Sequence, residues 1–198
     1  MLRTLVPVIH AVTTDEIVAR PDFVRRAAGV MRALGTRGAV QVRAPRTSGA
    51  RIYEVASMLA ELQQATGAWL VVTDRVDVAV ATHARGVQLT SRSIGVADAV
   101  AVAPNIAIGA SAHSLAEAQA ACEAKATWLV VGQLTDEHHR AVGPRVLREL
   151  VEKLRPRLAE QEAELSEQLV GELGLATSRA DIFYVPAEGD EGALLFRA

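Results

Sequence analysis

The sequence predicts a parallel α/β fold, with the sheet either open or rolled into a barrel. Three observations carry that prediction. Six short apolar runs, most of them β-branched, alternate with longer amphipathic stretches, the pattern of repeated strand–helix units. The runs are almost wholly apolar rather than alternating, which suits strands covered by helices on both faces. Hydrophobic residues make up 50% of the 198 residues and charged residues 22%. That is enough apolar material for a real core, and it excludes a disordered or fibrous chain.

The elements follow in order. Residues 5–12 form the first strand-like run. Phe23, Val24, Ala27, Val30, Met31 and Leu34 then recur at helical spacing. The second run is 39–42, followed by a helix carrying Ile52, Val55, Ala56, Leu59 and Leu62 on one face. Runs at 69–73, 86–89 and 106–109 come next. Ser114 reads as a helix N-cap, with Glu117 three residues later closing a capping box. The sixth run is 128–132. Crossovers between parallel strands are right-handed, so the C-terminal strand ends and the loops after them share one face, where ligands bind in both parallel architectures.

The last third is different. Val146, Leu147, Leu150, Val151, Leu154, Leu158, Leu165, Leu169 and Leu173 form a leaky helical stripe that Pro156 should interrupt. Glu160, Glu162, Glu164 and Glu167 make the other side acidic, either as a solvated face or as a partner-binding helix. Strands are expected at 182–185 and 194–196, with a turn at 188–192. Exposed edges of an incomplete barrel would need covering, by these C-terminal helices or by a second subunit.

Charge and cysteine content narrow the function classes. Lys+Arg is 21 and Asp+Glu is 23, a formal net charge of −2, so no basic footprint points at nucleic acid. Cys122 is the single cysteine, which excludes an internal disulfide and fits a reducing cytoplasm. The first apolar run is stopped by His10 and lacks the features of a signal peptide. No apolar stretch reaches the ~20 residues that span a bilayer. A soluble cytoplasmic protein without membrane contacts is expected.

Polar groups at strand ends are the candidates for chemistry. Gln41 and Arg43 alternate with Val40 and Val42, so period-two geometry puts them on the same side. On a barrel lumen Arg43 would be a buried cation requiring an anion, either a ligand phosphate or a carboxylate such as Asp74. Asp74 could bind a metal, cap the next helix or pair with Arg43. Asp77 falls in a first helical turn, where a carboxylate suits the dipole, and gets no ligand role. Gln88 ends the fourth run. Ser111 and His113 follow the fifth and lead into a helix N-terminus that attracts anions. His113 is either a neutral imidazole bonded to nearby backbone or a general acid/base. Gln133 would hang over the mouth of the sheet, where an amide binds but does not shuttle protons. His138 and His139 read as a surface loop, and no metal site is expected.

Several segments are familiar. Leu5-Val6-Pro7-Val8-Ile9-His10-Ala11-Val12-Thr13-Thr14-Asp15 resembles the first strand of the thiamine phosphate synthase and thiazole tautomerase family. Ala39-Val40-Gln41-Val42-Arg43 is similar to that family's Gln-Leu-Arg. Val71-Val72-Thr73-Asp74-Arg75-Val76-Asp77-Val78-Ala79 is similar to its Asn-Asp-Arg-Val-Asp-Leu-Ala. Gly86-Val87-Gln88-Leu89 follows. Ile108-Gly109-Ala110-Ser111-Ala112-His113-Ser114-Leu115-Ala116-Glu117-Ala118 is the most specific match. The resemblance covers about residues 1–145, and Gln88 in place of the synthase's usual histidine resembles the tautomerase branch more.

The resemblance implies a TIM-type (β/α) barrel with an irregular or incomplete last two units. Residues 1–145 would form the family-like portion, and residues 146–198 divergent helices and short strands completing or covering the same domain. It implies a role in thiamine biosynthesis with thiazole phosphate as the small-molecule partner, and a homo-oligomer. No cofactor is implied unless synthase activity is retained, which would need magnesium and a pyrimidine pyrophosphate. Gln41 and Arg43 would face the pyrimidine or pyrophosphate end, Asp74 would stand at one magnesium-linked carboxylate, and Gln88 and Ser111 would contact substrate. A tautomerase would need a proton carrier, here His113 or His138, since Gln133 stands where that branch has a histidine.

The departures from the family pattern are concrete. Pro45 replaces a lysine, Thr73 replaces the asparagine before Asp74, and the second magnesium carboxylate falls near Arg92-Ser93. An Ile-Gly-Gly-Ile segment for a seventh strand and the proline-phenylalanine-threonine loop are missing from the sequence. Two alternatives therefore accompany the thiazole phosphate reading: a non-catalytic binding relative, and a thiamine phosphate synthase.

Overall fold

The computed structural model describes residues 6–7, 9–131, 183–186 and 192–197. Gln133, His138, His139, the stripe from Val146 to Leu173 and the expected boundary at 145/146 lie outside those residues. The chain divides into two compact units, Met1–Gly109 and Ala110–Ala198.

In the first unit the order is β1 (Ile9–Val12), α1 (Asp15–Val18), α2 (Phe23–Leu34), β2 (Gly38–Val42), α3 (Gly49–Thr66), β3 (Trp69–Thr73), α4 (Val76–Ala81), β4 (Gly86–Leu89) and α5 (Val96–Val102). Strands β1 to β4 pair in parallel in chain order. Val12 lies opposite Gln41, Val42 opposite Val72 and Thr73 opposite Gln88, so the C-terminal ends form one rim. Every position of β2 and β4 and the first four of β3 are buried. That is the two-sided covering expected from runs without alternation.

The covering comes from the helices. α2 buries Phe23, Ala27 and Met31, and α3 buries Ile52, Val55, Ala56 and Leu59, in one core with Val40, Val42, Leu70 and Val72. Each of the larger side chains among them contributes about 1.5–3 kcal/mol by leaving water, and the alanines less. Val30, expected on the buried stripe, is exposed, as are Ile9, Val12 and Ile17. The outer side of β1 thus opens onto an apolar groove lined by Val12, Ile17, Phe23 and Val30. α4 is the helix whose first turn holds Asp77, whereas α5 carries too short an apolar pattern to be seen in the sequence.

The floor of the first unit, at the start of β3 and β4, is fixed by two devices. Gln63 is buried, and its Oε1 accepts from the N–H groups of Leu70 (2.9 Å) and Arg85 (3.0 Å), while its Nε2 donates to the carbonyl of His83 (3.0 Å). Gly67 ends α3 in the left-handed region (φ 77°), and a Cβ there would stand 2.8 Å from Cγ2 of Thr36. Glycine is required on both counts.

β5 (Ala107–Ala112) leaves the first unit at Gly109. It runs three residues beyond the expected 106–109, because Ala110-Ser111-Ala112 is too small and polar to register as an apolar run. In the second unit α6 (Leu115–Glu123) and β6 (Trp128–Val131) follow, with Trp128 and Leu129 fully buried. β7 (Phe183–Pro186) and β8 (Gly192–Arg197) come at the two expected strand positions. β8 pairs antiparallel with β6 and with β7. Five residues separate β7 from β8, too few for a parallel crossover, which needs a dozen or more. The fold is therefore of the TIM-type (β/α) class with an irregular finish after β6.

Candidate functional site

At the rim of the first unit, three strands exchange side-chain hydrogen bonds. Gln41, buried at the end of β2, donates from Nε2 to Oγ1 of Thr73 on β3 (3.1 Å). Its Oε1 accepts from Nδ1 of His10 on β1 (3.4 Å). Burial pushes the His10 imidazole below its ordinary pKa of 6.5, with the Gln41 bond and the Pro7 backbone pulling weakly the other way. His10 is thus a neutral donor in this network at neutral pH.

Thr13 fixes the end of β2 from the other side. Its hydroxyl accepts from the N–H of Arg43 (2.9 Å) and donates to the carbonyl of Arg43 (3.2 Å), and its own N–H donates to the carbonyl of Gln41 (3.0 Å). The backbone of Arg43 is clamped while its side chain is exposed. Arg43 is thus exposed rather than the buried cation that a lumen-facing side chain would be, and Asp74, one of the two anions considered for it, bonds Thr90 and Ser93 instead. β2 ends at Val42, and one residue past a ladder the period-two rule no longer governs direction.

Asp74 neither caps α4 nor pairs with Arg43 among the described residues. It sits in the left-handed region (φ 62°), and its N–H donates to the carbonyl of Gln88 (2.9 Å). Its Oδ1 accepts from the N–H of Thr90 (2.8 Å) and from the Ser93 hydroxyl, and its Oδ2 accepts from the Thr90 hydroxyl (2.9 Å). Arg75 instead occupies the cap position of α4, with no side-chain cap bond. Gln88 is buried and donates from Nε2 to the carbonyl of Leu89 (3.2 Å). Asp77 binds Arg75 (2.8 and 2.6 Å). That bond holds its carboxyl below the usual carboxylate range.

In the second unit, Ser111 is half-buried within β5 rather than after it. Ser114 caps α6, its hydroxyl accepting from the N–H of Glu117 (3.2 Å). Glu117 closes the box one residue early. Its Oε2 accepts from the N–H of His113 (2.7 Å) and lies 3.3 Å from His113 Nδ1. The imidazole is half exposed, with a carboxylate partner rather than a backbone one. Gln133 lies outside the described residues.

The first-unit rim therefore offers an exposed guanidinium beside neutral donors and acceptors. Such a rim suits a polar heterocycle carrying an anionic group. Sequence reasoning missed Thr13, Thr90 and Ser93. The only sign of them was hydroxyl residues one to four positions past a strand end.

Residues 9–159 match the thiamine monophosphate synthase family. The chain belongs to that family. Over 121 residues it is 37% identical to a thiamine-phosphate synthase of Pyrococcus furiosus, covering 59% of this chain and 58% of that one. Over 95 residues it is 39% identical to a thiamine-phosphate synthase of Chloroflexus aurantiacus, covering 48% and 44%. Among solved structures it resembles a thiamine phosphate pyrophosphorylase from Pyrococcus furiosus, with a TM-score of 0.62 at 33% identity over 73% of this chain and 69% of that one. The aligned part spans 56–62% of the length of three Pyrococcus relatives. These relatives carry the synthase's name.

Magnesium, which the family implies for a synthase, can be tested against these residues. Three donors occupy the Asp74 carboxylate, one of them the Ser93 hydroxyl, and Arg92 beside Ser93 is exposed. Among the described residues no three of His, Cys, Asp and Glu converge. The residues present do not fit the ion. None of the helices in the described residues is long and apolar enough to cross a membrane.

Proposed function

We propose that the chain is a divergent thiamine-pathway protein whose ligand is a thiazole phosphate. The observation that carries the reading is the family match over residues 9–159, together with Arg43, whose backbone is clamped by Thr13 and whose side chain is exposed at a rim of hydrogen-bonding groups. Gln41 and Arg43 are the contacts inferred in the first unit, with Asp74 and Gln88 shaping the rim from behind; Ser111 is the candidate of the second unit, taken by itself. If the protein turns over, the reaction is an isomerisation of the thiazole. His113, with Glu117 orienting it, would take a proton from one ring position and return it to another.

A second reading, synthesis of thiamine phosphate from thiazole phosphate and a pyrimidine pyrophosphate, is favoured by the names of the relatives. Against it stands the Asp74 carboxylate, already filled by three donors. Exposed Ile9, Val12, Ile17 and Val30 support the expected homo-oligomer, and the single cysteine supports a cytoplasmic setting.

The test is ligand-shift melting with thiazole phosphate, pyrimidine pyrophosphate and thiamine phosphate, followed by turnover assays with each. Thiazole phosphate raises the melting temperature by mass action, and Arg43→Ala removes the shift. An absent shift with thiazole phosphate overturns the reading. Product formation from both substrates together favours the synthase, and isomerisation lost in His113→Ala favours the tautomerase. Light scattering after gel filtration reads the oligomeric state.

A further inference from the structure

The loop after β4, residues 90–95, is tied to β3 through one side chain. Asp74 accepts from the Thr90 N–H, the Thr90 hydroxyl and the Ser93 hydroxyl, and the loop closes on itself through the Ser93 N–H to the Thr90 carbonyl (3.0 Å). A carboxylate offers about four acceptor sites, and three are used here. The backbone at Asp74 is left-handed (φ 62°), a conformation that Asp and Asn tolerate and that β-carbon-bearing residues such as Ala disfavour. Magnesium is held in near-octahedral geometry, commonly by one or two carboxylates plus ligand phosphates. Ser93 brings no carboxylate to this place, and its hydroxyl spends its proton on Asp74. Arg92, exposed next to it, adds a positive charge that a divalent cation would avoid.

We propose that Asp74 is the anchor of the 90–95 loop rather than a metal ligand, and that the first unit receives an anionic ligand without a divalent cation. The anchor role stands on geometry alone. Only its consequence for thiazole phosphate rests on the functional reading above.

Asp74→Asn separates the two roles. An asparagine keeps Oδ1 for the Thr90 N–H and the Ser93 hydroxyl, offers Nδ2 to a turned Thr90 hydroxyl, and tolerates the backbone conformation. A metal site would lose its charge. The full chain is melted as wild type, Asp74→Asn and Asp74→Ala, and each is titrated with Mn²⁺ and followed by the free-ion signal in electron paramagnetic resonance. Inorganic pyrophosphate is then added with magnesium or with EDTA, and melting is repeated. Under the proposal, Asp74→Asn melts close to wild type and Asp74→Ala several degrees lower. Mn²⁺ stays free in all three, and any pyrophosphate shift is the same with magnesium as with EDTA. Stoichiometric Mn²⁺ binding that Asp74→Asn abolishes overturns it, as does an Asp74→Asn protein as damaged as Asp74→Ala. If these results hold and thiazole phosphate gives no shift, only the choice of ligand falls.

Discussion

Two buried glutamines mark opposite ends of β3 and do opposite things. Gln63, on the floor, spends three hydrogen bonds on backbone groups that the starts of β3 and β4 would otherwise leave unsatisfied. Gln41, on the rim, bonds only side chains, His10 and Thr73, which can turn to other partners. A polar side chain aimed at backbone is locked into the fold. One aimed at other side chains keeps its freedom and can be shared with a ligand. That contrast locates the site at the rim and leaves the floor to stability.

The contrast can be broken by substitution. Gln63→Leu strands two N–H groups and one carbonyl in a buried place and is expected to cost about 3 kcal/mol, read as a fall in the urea midpoint at constant slope. Gly67→Ala, on the same floor, should cost about 1–2 kcal/mol through its left-handed backbone and the Thr36 contact. Gln41→Leu removes a partner of the buried His10 imidazole and should cost about 1–2 kcal/mol, less than Gln63→Leu, while removing the thiazole phosphate shift in melting. If Gln41→Leu destabilised as much as Gln63→Leu, the division between rim and floor would be lost.

The smallest effect concerns pH. His10 has its folded-state pKa pushed below 6.5 by burial. Below pH 6.5 the unfolded chain takes up a proton that the folded chain refuses, so stability falls as pH drops through 6.5 toward the folded-state value. Above 6.5 this group contributes no slope. The depressed carboxyl groups of Asp15, Asp22 and Asp77 act in the same direction but at lower pH, so the window from about pH 6.5 to 5.5 belongs to His10. Urea midpoints across that window should fall in wild type and fall less in His10→Gln; equal slopes would show that His10 is not held neutral by the fold.

Legibility in the sequence followed the range of the interaction. β2, β3 and β4 were visible because two-sided burial leaves an unbroken apolar run, and β3 and β4 match their observed bounds. The Ser114 cap was visible because a cap is settled within four residues. The close of its box was misplaced by one, since Glu117 chose the N–H of His113 over that of Ser114. The antiparallel finish was within reach from spacing, since a short turn cannot join parallel strands. The fate of Asp74 was out of reach, because its partners Thr90 and Ser93 lie 16 and 19 positions away on a loop with no apolar pattern.

Taken alone, the sequence determined the alternation of strands and helices, the family and the rim where polar residues gather, because periodicity and strand-end position are local properties. Only the tertiary structure decided that the Arg43 guanidinium faces solvent, that Gln63 rather than Gln41 holds the floor, and that the Asp74 carboxylate is spent on a neighbouring loop. Hydrogen-bond partners are chosen by which strand ends come within about 3 Å of each other, and no single stretch of chain encodes that.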